Sequence, residues 1–189
     1  MKLYKLTDEN GRTQNNTQWG EGVTHTATGD PSQPLCRDAW IHAYEHPLIA
    51  VFVNPAQADF KNPRLWEAEG EIVKQEGQLK CGCRSLTTVM EMPLPVITTE
   101  QRVEIAIRCT KLVCKGAAWN RWADDWLSGR DRSAAASASV ARSAAWVVEA
   151  VGTVVWAETA EMWAAHAPRA EIDLVAIIST VVNPNTEAI

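Results

Sequence analysis

The sequence lacks any uninterrupted apolar run of about 18 residues, the length that a membrane-spanning helix needs. The nearest candidate, residues 140–157, is interrupted by Arg142 and Glu149. The opening residues, Met-Lys-Leu-Tyr-Lys, contain no apolar segment of signal-peptide length. These absences predict a cytoplasmic protein that has no membrane segment.

Motifs that dictate a particular reaction are also missing. The sequence contains no GxSxG elbow, P-loop, GxGxxG or HExxH motif. Its five cysteines include a single CxC, Cys81-Gly82-Cys83, whereas zinc sites normally use CxxC pairs. An odd number of cysteines without a secretion signal is typical of reduced thiols. We therefore expect no metal site, and the motifs leave open whether the protein is an enzyme.

Basic residues are fewer than acidic residues: 18 lysines and arginines stand against 23 aspartates and glutamates, which gives a net charge of −5. The basic residues are dispersed and form no dense stripe. This distribution argues against a nucleic-acid binder held by phosphate contacts. An acidic chain can instead imitate nucleic acid and occupy a basic groove on another protein, although the acidic residues here are widely scattered along the sequence.

Tryptophan and alanine are the residues that this chain favours. Nine tryptophans stand beside two tyrosines and two phenylalanines, and residues 134–170 are rich in alanine. Alanine has the highest helix propensity, and tryptophan offers a very large area to bury. We expect most of the tryptophans to fill core space and a minority to line a ligand pocket or a partner surface.

The periodicity of the apolar residues changes at Pro95. Before it, short alternating runs are separated by turn residues; after it, apolar residues recur at helical spacing. This switch predicts an α+β fold, with a small β-rich domain over residues 1–95. The remaining residues, 96–189, are expected to form a bundle of about four helices packed on that domain. We expect no helix longer than about ten residues before Pro95 and no strand after residue 100.

In the first domain, the turn residues delimit a set of short elements. His46-Pro47 predicts the start of a short helix over residues 48–53, and Asn54-Pro55 predicts a loop. A polar, glycine-containing loop is expected over most of residues 12–34. Alternation predicts strands at residues 2–6, 22–26, 40–44, 64–73, 78–83 and 86–92.

In the helical region, Thr98 and Gln101 form a capping-box signature for a first helix. A second helix, residues 117–127, places Trp119, Trp122 and Trp126 on one face. We expect these rings to be mostly buried against a long alanine-rich third helix that ends near residue 167. A fourth helix is predicted over residues 171–182, and the helices offer a surface for self-association.

Three aromatic side chains give the best candidate site. On a strand, Trp40, His42 and Tyr44 project to the same side, where they form a surface suited to a nucleobase or nicotinamide ring. We expect this surface to border a cleft whose other wall carries Arg64 or Glu69, which would hold a phosphate or ribose. The alternative is a hydrogen-bonded histidine on a half-buried sheet, with Glu69 on a solvated acidic edge.

The same residues suggest one possible reaction. A carboxylate beside a histidine–tyrosine pair is the outline of a glycosyl-transfer site such as that of ADP-ribosyl transfer. In that alternative, His42, Tyr44 and Glu69 would be the catalytic residues and NAD the substrate. Without it, we expect no cofactor.

Two stretches carry a resemblance to a known group of sequences. They are residues 40–52, followed by Asn54-Pro55, and residues 60–67; residues 1–10 add to the match. Over roughly residues 1–132 the chain resembles uncharacterised proteins of bacteriophages and prophages. The resemblance implies a compact front domain and an alanine-rich helical tail, sometimes described as similar to an immunity protein. The tail departs from that pattern because several valines between residues 140 and 155 replace small residues.

The resemblance implies a phage accessory gene that antagonises host defence, and it supplies no catalytic residues. The leading hypothesis is a non-enzymatic protein that binds either a host defence protein or a nucleotide signal. An ADP-ribosyltransferase-like enzyme is the first alternative, and a structural phage protein is the second. None of these hypotheses involves direct contact with nucleic acid or a membrane.

Overall fold

A computed structural model describes residues 1–113, 116–132 and 172–183 of the chain. The chain divides into two units, Met1–Val96 and Ile97–Ile189. All strands of the described residues belong to the first unit, which also contains one α-helix and a short 3₁₀ helix, Gln14–Asn16. The described elements of the second unit are α-helices. The predicted α+β class is confirmed.

The first unit is built around a sheet of five strands. Its order is β1-β6-β7-β4, and β5 pairs with β7 beside β4. A separate two-stranded ladder joins β2 to β3. The strands are β1 Lys2–Thr7, β2 Arg12–Thr13, β3 Thr17–Gln18, β4 Thr24–Thr26, β5 Ile41–Ala43, β6 Arg64–Glu76 and β7 Lys80–Met92.

A long hairpin formed by β6 and β7 is the spine of this sheet. Its register runs from Leu65 opposite Met92 to Glu76 opposite Lys80 and shifts at three places. Register shifts bend and twist a strand pair. One of them separates the Gly70–Leu86 and Ile72–Cys83 pairs. The structure has one continuous strand, β7, where two were predicted at residues 78–83 and 86–92, because this irregularity breaks the alternation of the sequence.

The curved sheet closes on itself through a single bridge. Tyr4 of β1 and Tyr44, the residue after β5, exchange two backbone hydrogen bonds of 2.8 and 2.9 Å. Since β1 pairs with β6 and β5 pairs with β7, this bridge completes a ring of strands. The ring has an inner side and an outer side.

The inner side holds one hydrophobic cluster of the unit, and the members of this cluster are mostly small. A Cβ atom added at Gly70 would come within 2.9 Å of Leu86 Cδ1, so the lack of a side chain at this position lets β6 and β7 approach each other. Trp19 fills the space that the small side chains leave. The buried cluster consists of Leu3, Trp19, Ala43, Ala68, Cys81, Cys83 and Leu86.

Helix α1, Pro47–Gln57, is longer than the sequence indicates. It has 11 residues, so the expected limit of ten residues before Pro95 is wrong. His46 caps its N-terminus, with Nδ1 accepting a hydrogen bond from the Leu48 N–H at 3.2 Å. The helix continues through Asn54 and Pro55, which the sequence pattern assigned to a loop. It can do so because the Asn54 side chain exchanges two hydrogen bonds with the backbone of Phe60, which hold the segment after the helix.

The second unit contributes α2 Thr99–Val113, α3 Ala117–Leu127 and α4 Leu174–Val182. The predicted capping box is confirmed: the Thr98 N–H donates to Gln101 Oε1 at 2.9 Å, and the Gln101 N–H donates to Thr98 Oγ1 at 3.1 Å. Gln101 also reaches the carbonyl of Val181 on α4. Of the helices in the described ranges, none has the length and apolarity required to cross a bilayer.

The tryptophans of α3 are buried to different degrees. Trp126 lies in a core cluster with Val103, Ile107 and Ala123, whereas Trp119 and Trp122 are half-buried beside it. Among the described helices, α2 is therefore the one that packs against the tryptophan-bearing face of α3. The alanine-rich third helix that we expected as its partner lies outside the described residues.

Candidate functional site

The predicted aromatic surface is partly assembled. His42 lies opposite Gly82 in the ladder, and a Cβ on Gly82 would point at Trp40 and Leu35. Trp40 and His42 therefore share the outer side of the sheet at this point. Trp40 is buried, however, in a small cluster with Leu35 and Ala39, and its Nε1 donates to the carbonyl of Gln33 at 3.0 Å.

The imidazole of His42 is engaged by the backbone. Its Nε2 lies 2.5 Å from the carbonyl oxygen of Leu35, within the loop that covers this side of the sheet. The side chain is half-buried. This is the arrangement of a hydrogen-bonded structural histidine, which was the alternative to a ligand-binding role.

Tyr44 helps to close the sheet. Its backbone forms the bridge to Tyr4, and its side chain is buried. Burial raises the pKa of the Tyr44 hydroxyl to about 12, so the phenol stays protonated at neutral pH. That pKa makes Tyr44 a poor general base.

Glu69 and Arg64 lie far from His42 along the sheet. Glu69 pairs with Thr87 of β7, five residues beyond the Gly82 that faces His42, which amounts to about 16 Å along the strand. Arg64 is farther still, next to the Leu65–Met92 pair, and forms an ion pair with Glu91. The expectation that these residues form the second wall of a cleft with His42 is therefore wrong. The separation arises because β5, which carries His42, pairs with β7, whereas Arg64 and Glu69 both lie on β6.

Glu69 lines a different feature, an open depression on the sheet with a volume of about 610 Å³. Two exposed apolar side chains stand at it: Met1 is 66% exposed and Val73 is 53% exposed. The lining residues are Met1, Glu69, Gly70, Glu71, Val73, Arg84 and Ser85. We call this surface the β6 depression.

Arg84, which no pattern in the sequence singles out, anchors a loop beside the β6 depression. Its guanidinium donates to the carbonyl oxygens of Ala27, Gly29 and Ala39 at 2.6–2.9 Å. It also lies 5.7 Å from the centre of the Trp40 ring. These contacts fix the loop that covers Trp40 and His42, so Arg84 has a structural role.

Lys5 is a second residue that sequence reasoning missed. It is buried on the inner side of the sheet, where Nζ donates to the carbonyl of His42 at 2.7 Å and lies 5.0 Å from the centre of the Trp19 ring. Burial lowers the pKa of the Lys5 amine to about 8. The signal was available, because Lys5 alternates with Leu3 and so occupies an inward position of β1.

Cys81 and Cys83 lie on the same inner side. Cys81 donates to the carbonyl of Ala43 at 3.3 Å. The neighbouring Cys81 and the charge of Lys5 lower the pKa of Cys83, whereas the neighbouring Cys83 and burial raise the pKa of Cys81. In the described part of the chain, no group of three or more His, Cys, Asp or Glu side chains is arranged to hold a metal ion.

Comparisons with protein-family models, with curated proteins and with solved structures found no match to this chain.

Proposed function

We propose that the chain acts by binding another protein, as a phage-type accessory protein directed against a host defence protein. The single observation that carries the proposal is the exposure of apolar side chains at the β6 depression. Val73 is 53% exposed on β6, and the exposed Glu69 and Glu71 line the depression beside it. An exposed apolar group framed by charged residues is typical of a protein-binding surface.

The shape of the β6 depression also favours a protein partner over a nucleotide. Small-molecule sites are usually concave, largely apolar pockets with a few convergent polar groups. The β6 depression is open, and among the described residues no aromatic ring lines it on which a base could stack. The residues proposed for stacking, Trp40 and His42, are occupied by contacts with the loop around Leu35.

A phage-infection assay tests the proposal. Bacteria that carry a defence system and express the chain are infected with a phage that the system blocks, and plaques are counted. We expect the wild-type chain to restore plaques and Val73→Asp to abolish the effect, because a charge at the centre of the surface opposes desolvation.

Met90→Asp is the matched control for this assay. Met90 is 50% exposed on β7 and does not line the β6 depression. It should behave as wild type. The proposal is contradicted if no defence system is relieved, or if both variants retain full activity.

A further inference from the structure

The charges of the β6 depression indicate what kind of partner it binds, an inference that rests on the proposed function. Glu69 and Glu71 are two residues apart on β6, are both exposed and both line the depression. Residues at this spacing project to the same side of a strand, about 6–7 Å apart. The surface therefore presents two carboxylates in a row beside Val73.

These two carboxylates differ from their neighbours in forming no ion pair with any residue that the structure describes. On the same sheet, Glu67 forms an ion pair with Lys2 at 2.7 Å, and Glu91 forms one with Arg64. Among the described residues, no basic side chain forms an ion pair with Glu69 or Glu71.

The nearest positive groups are already directed elsewhere. The guanidinium of Arg84 is turned toward loop carbonyls, and the amino group of Met1 donates to the carbonyl of Gly70 at 2.9 Å. Lys2 lies opposite Glu69 in the ladder, but its amine forms an ion pair with Glu67. These positive groups thus lie near the two carboxylates, but none in the described part of the chain forms an ion pair with either of them.

We propose that the β6 depression binds a segment of the partner protein that is extended and basic. Two lysine or arginine side chains, two residues apart on that segment, would face Glu69 and Glu71, since an extended chain repeats its side chains at the same 6–7 Å spacing. An aliphatic side chain of the segment would cover Val73 and Met1. The chain carries a net charge of −5, so long-range attraction favours the same partner.

Binding of synthetic peptides by the full chain tests this proposal. The probe is a fluorescent decapeptide of alternating lysine and valine, measured by anisotropy at low salt. It is compared with its glutamate–valine counterpart and with a peptide of the same composition in which all the lysines precede all the valines. The variant is Glu69→Gln/Glu71→Gln. The control variant, Glu9→Gln/Asp38→Asn, removes two exposed charges elsewhere in the same unit.

We expect the alternating lysine peptide to bind most tightly and to lose about tenfold in affinity with the Glu69→Gln/Glu71→Gln variant only. The proposal is overturned if the wild-type chain binds none of the peptides. It is also overturned if the block peptide binds equally well, or if the control variant weakens binding as much. If Val73→Asp abolishes relief of defence while Glu69→Gln/Glu71→Gln does not, the partner is not basic but the proposed function stands.

Discussion

Lys5 is the residue whose chemistry the fold changes most. An amine inside a closed sheet has lost its water, and it has gained one carbonyl partner and the face of Trp19 in exchange. No carboxylate is bonded to it in the described structure, so desolvation dominates and the pKa of Lys5 falls. Burial of the Lys5 amine therefore lowers the free energy of unfolding, by an amount that depends on pH.

This cost predicts the pH dependence of a Lys5→Met variant relative to wild type. The pKa of Lys5 is about 8 in the fold and 10.5 when unperturbed, so between these values the unfolded chain holds more protons. Wild-type stability should then rise with pH across that window, by about 3 kcal/mol in full. Methionine does not titrate, so any stability advantage of Lys5→Met should shrink from pH 8 to 10.5. Urea unfolding at a series of pH values measures this difference, and parallel curves for the two proteins would contradict it.

His46 sets a second pH dependence, on the acidic side. Its Nδ1 must be unprotonated to accept the Leu48 N–H, and burial lowers the pKa of His46 below 6.5. The unfolded chain therefore takes up protons first as the pH falls through 6.5, and stability is lost until the lowered pKa is passed.

Two substitutions at His46 separate its capping from its titration. Asparagine keeps an acceptor at the cap without titrating, so His46→Asn should keep stability at pH 7 and flatten the acid limb. His46→Ala should cost about 1 kcal/mol at pH 7. Thermal melts between pH 5 and 7.5 measure both effects. An unchanged acid slope in His46→Asn would assign the slope to other groups.

At the scale of elements, the loop around Leu35 can pack on β7 because Gly82 has no side chain. A Cβ at Gly82 would overlap Leu35 Cδ1 and would lie 3.2 Å from Trp40 Cε3. Gly82→Ala should therefore cost about 1–3 kcal/mol through overpacking. In a Gly82→Ala/Leu35→Ala double variant, the second substitution makes room, so the two effects should be less than additive. Gly20→Ala, where the nearest atom is 3.7 Å away, is the matched control. Additive costs from denaturant unfolding would mean that the loop does not rest on Gly82.

The elements that sequence predicted well are those governed by local rules. The capping box of Thr98 and Gln101 and the face of α3 that carries Trp126 need only neighbours within two turns. The length of α1 was missed because Asn54 and Pro55 are loop residues by composition, and the local pattern does not show the hydrogen bonds that join Asn54 to Phe60. β7 was divided in two because its register shifts break the alternation.

At the scale of the molecule, the site could not be predicted because it depends on which strands meet. His42 and Glu69 look like partners in the sequence, but β5 pairs with β7 at Gly82 and leaves Glu69 on another part of the sheet. Likewise, Glu67 and Glu69 look equivalent in the sequence, and Lys2 lies opposite Glu69 in the ladder, yet its amine forms an ion pair with Glu67. Which carboxylates of β6 have an ion-pair partner in the described structure therefore depends on contacts between residues distant in the sequence.

The central claim is that the first unit binds a protein through the β6 depression, and site-specific photocrosslinking tests it most directly. A photoreactive amino acid is placed at Val73, and separately at Met90 as a control, and the chain is expressed in bacteria whose defence it relieves. The account predicts one discrete protein adduct from position 73 and none from position 90, with loss of binding by Val73→Asp when that protein is purified. Absence of an adduct at position 73, or equal adducts at both positions, would contradict the claim.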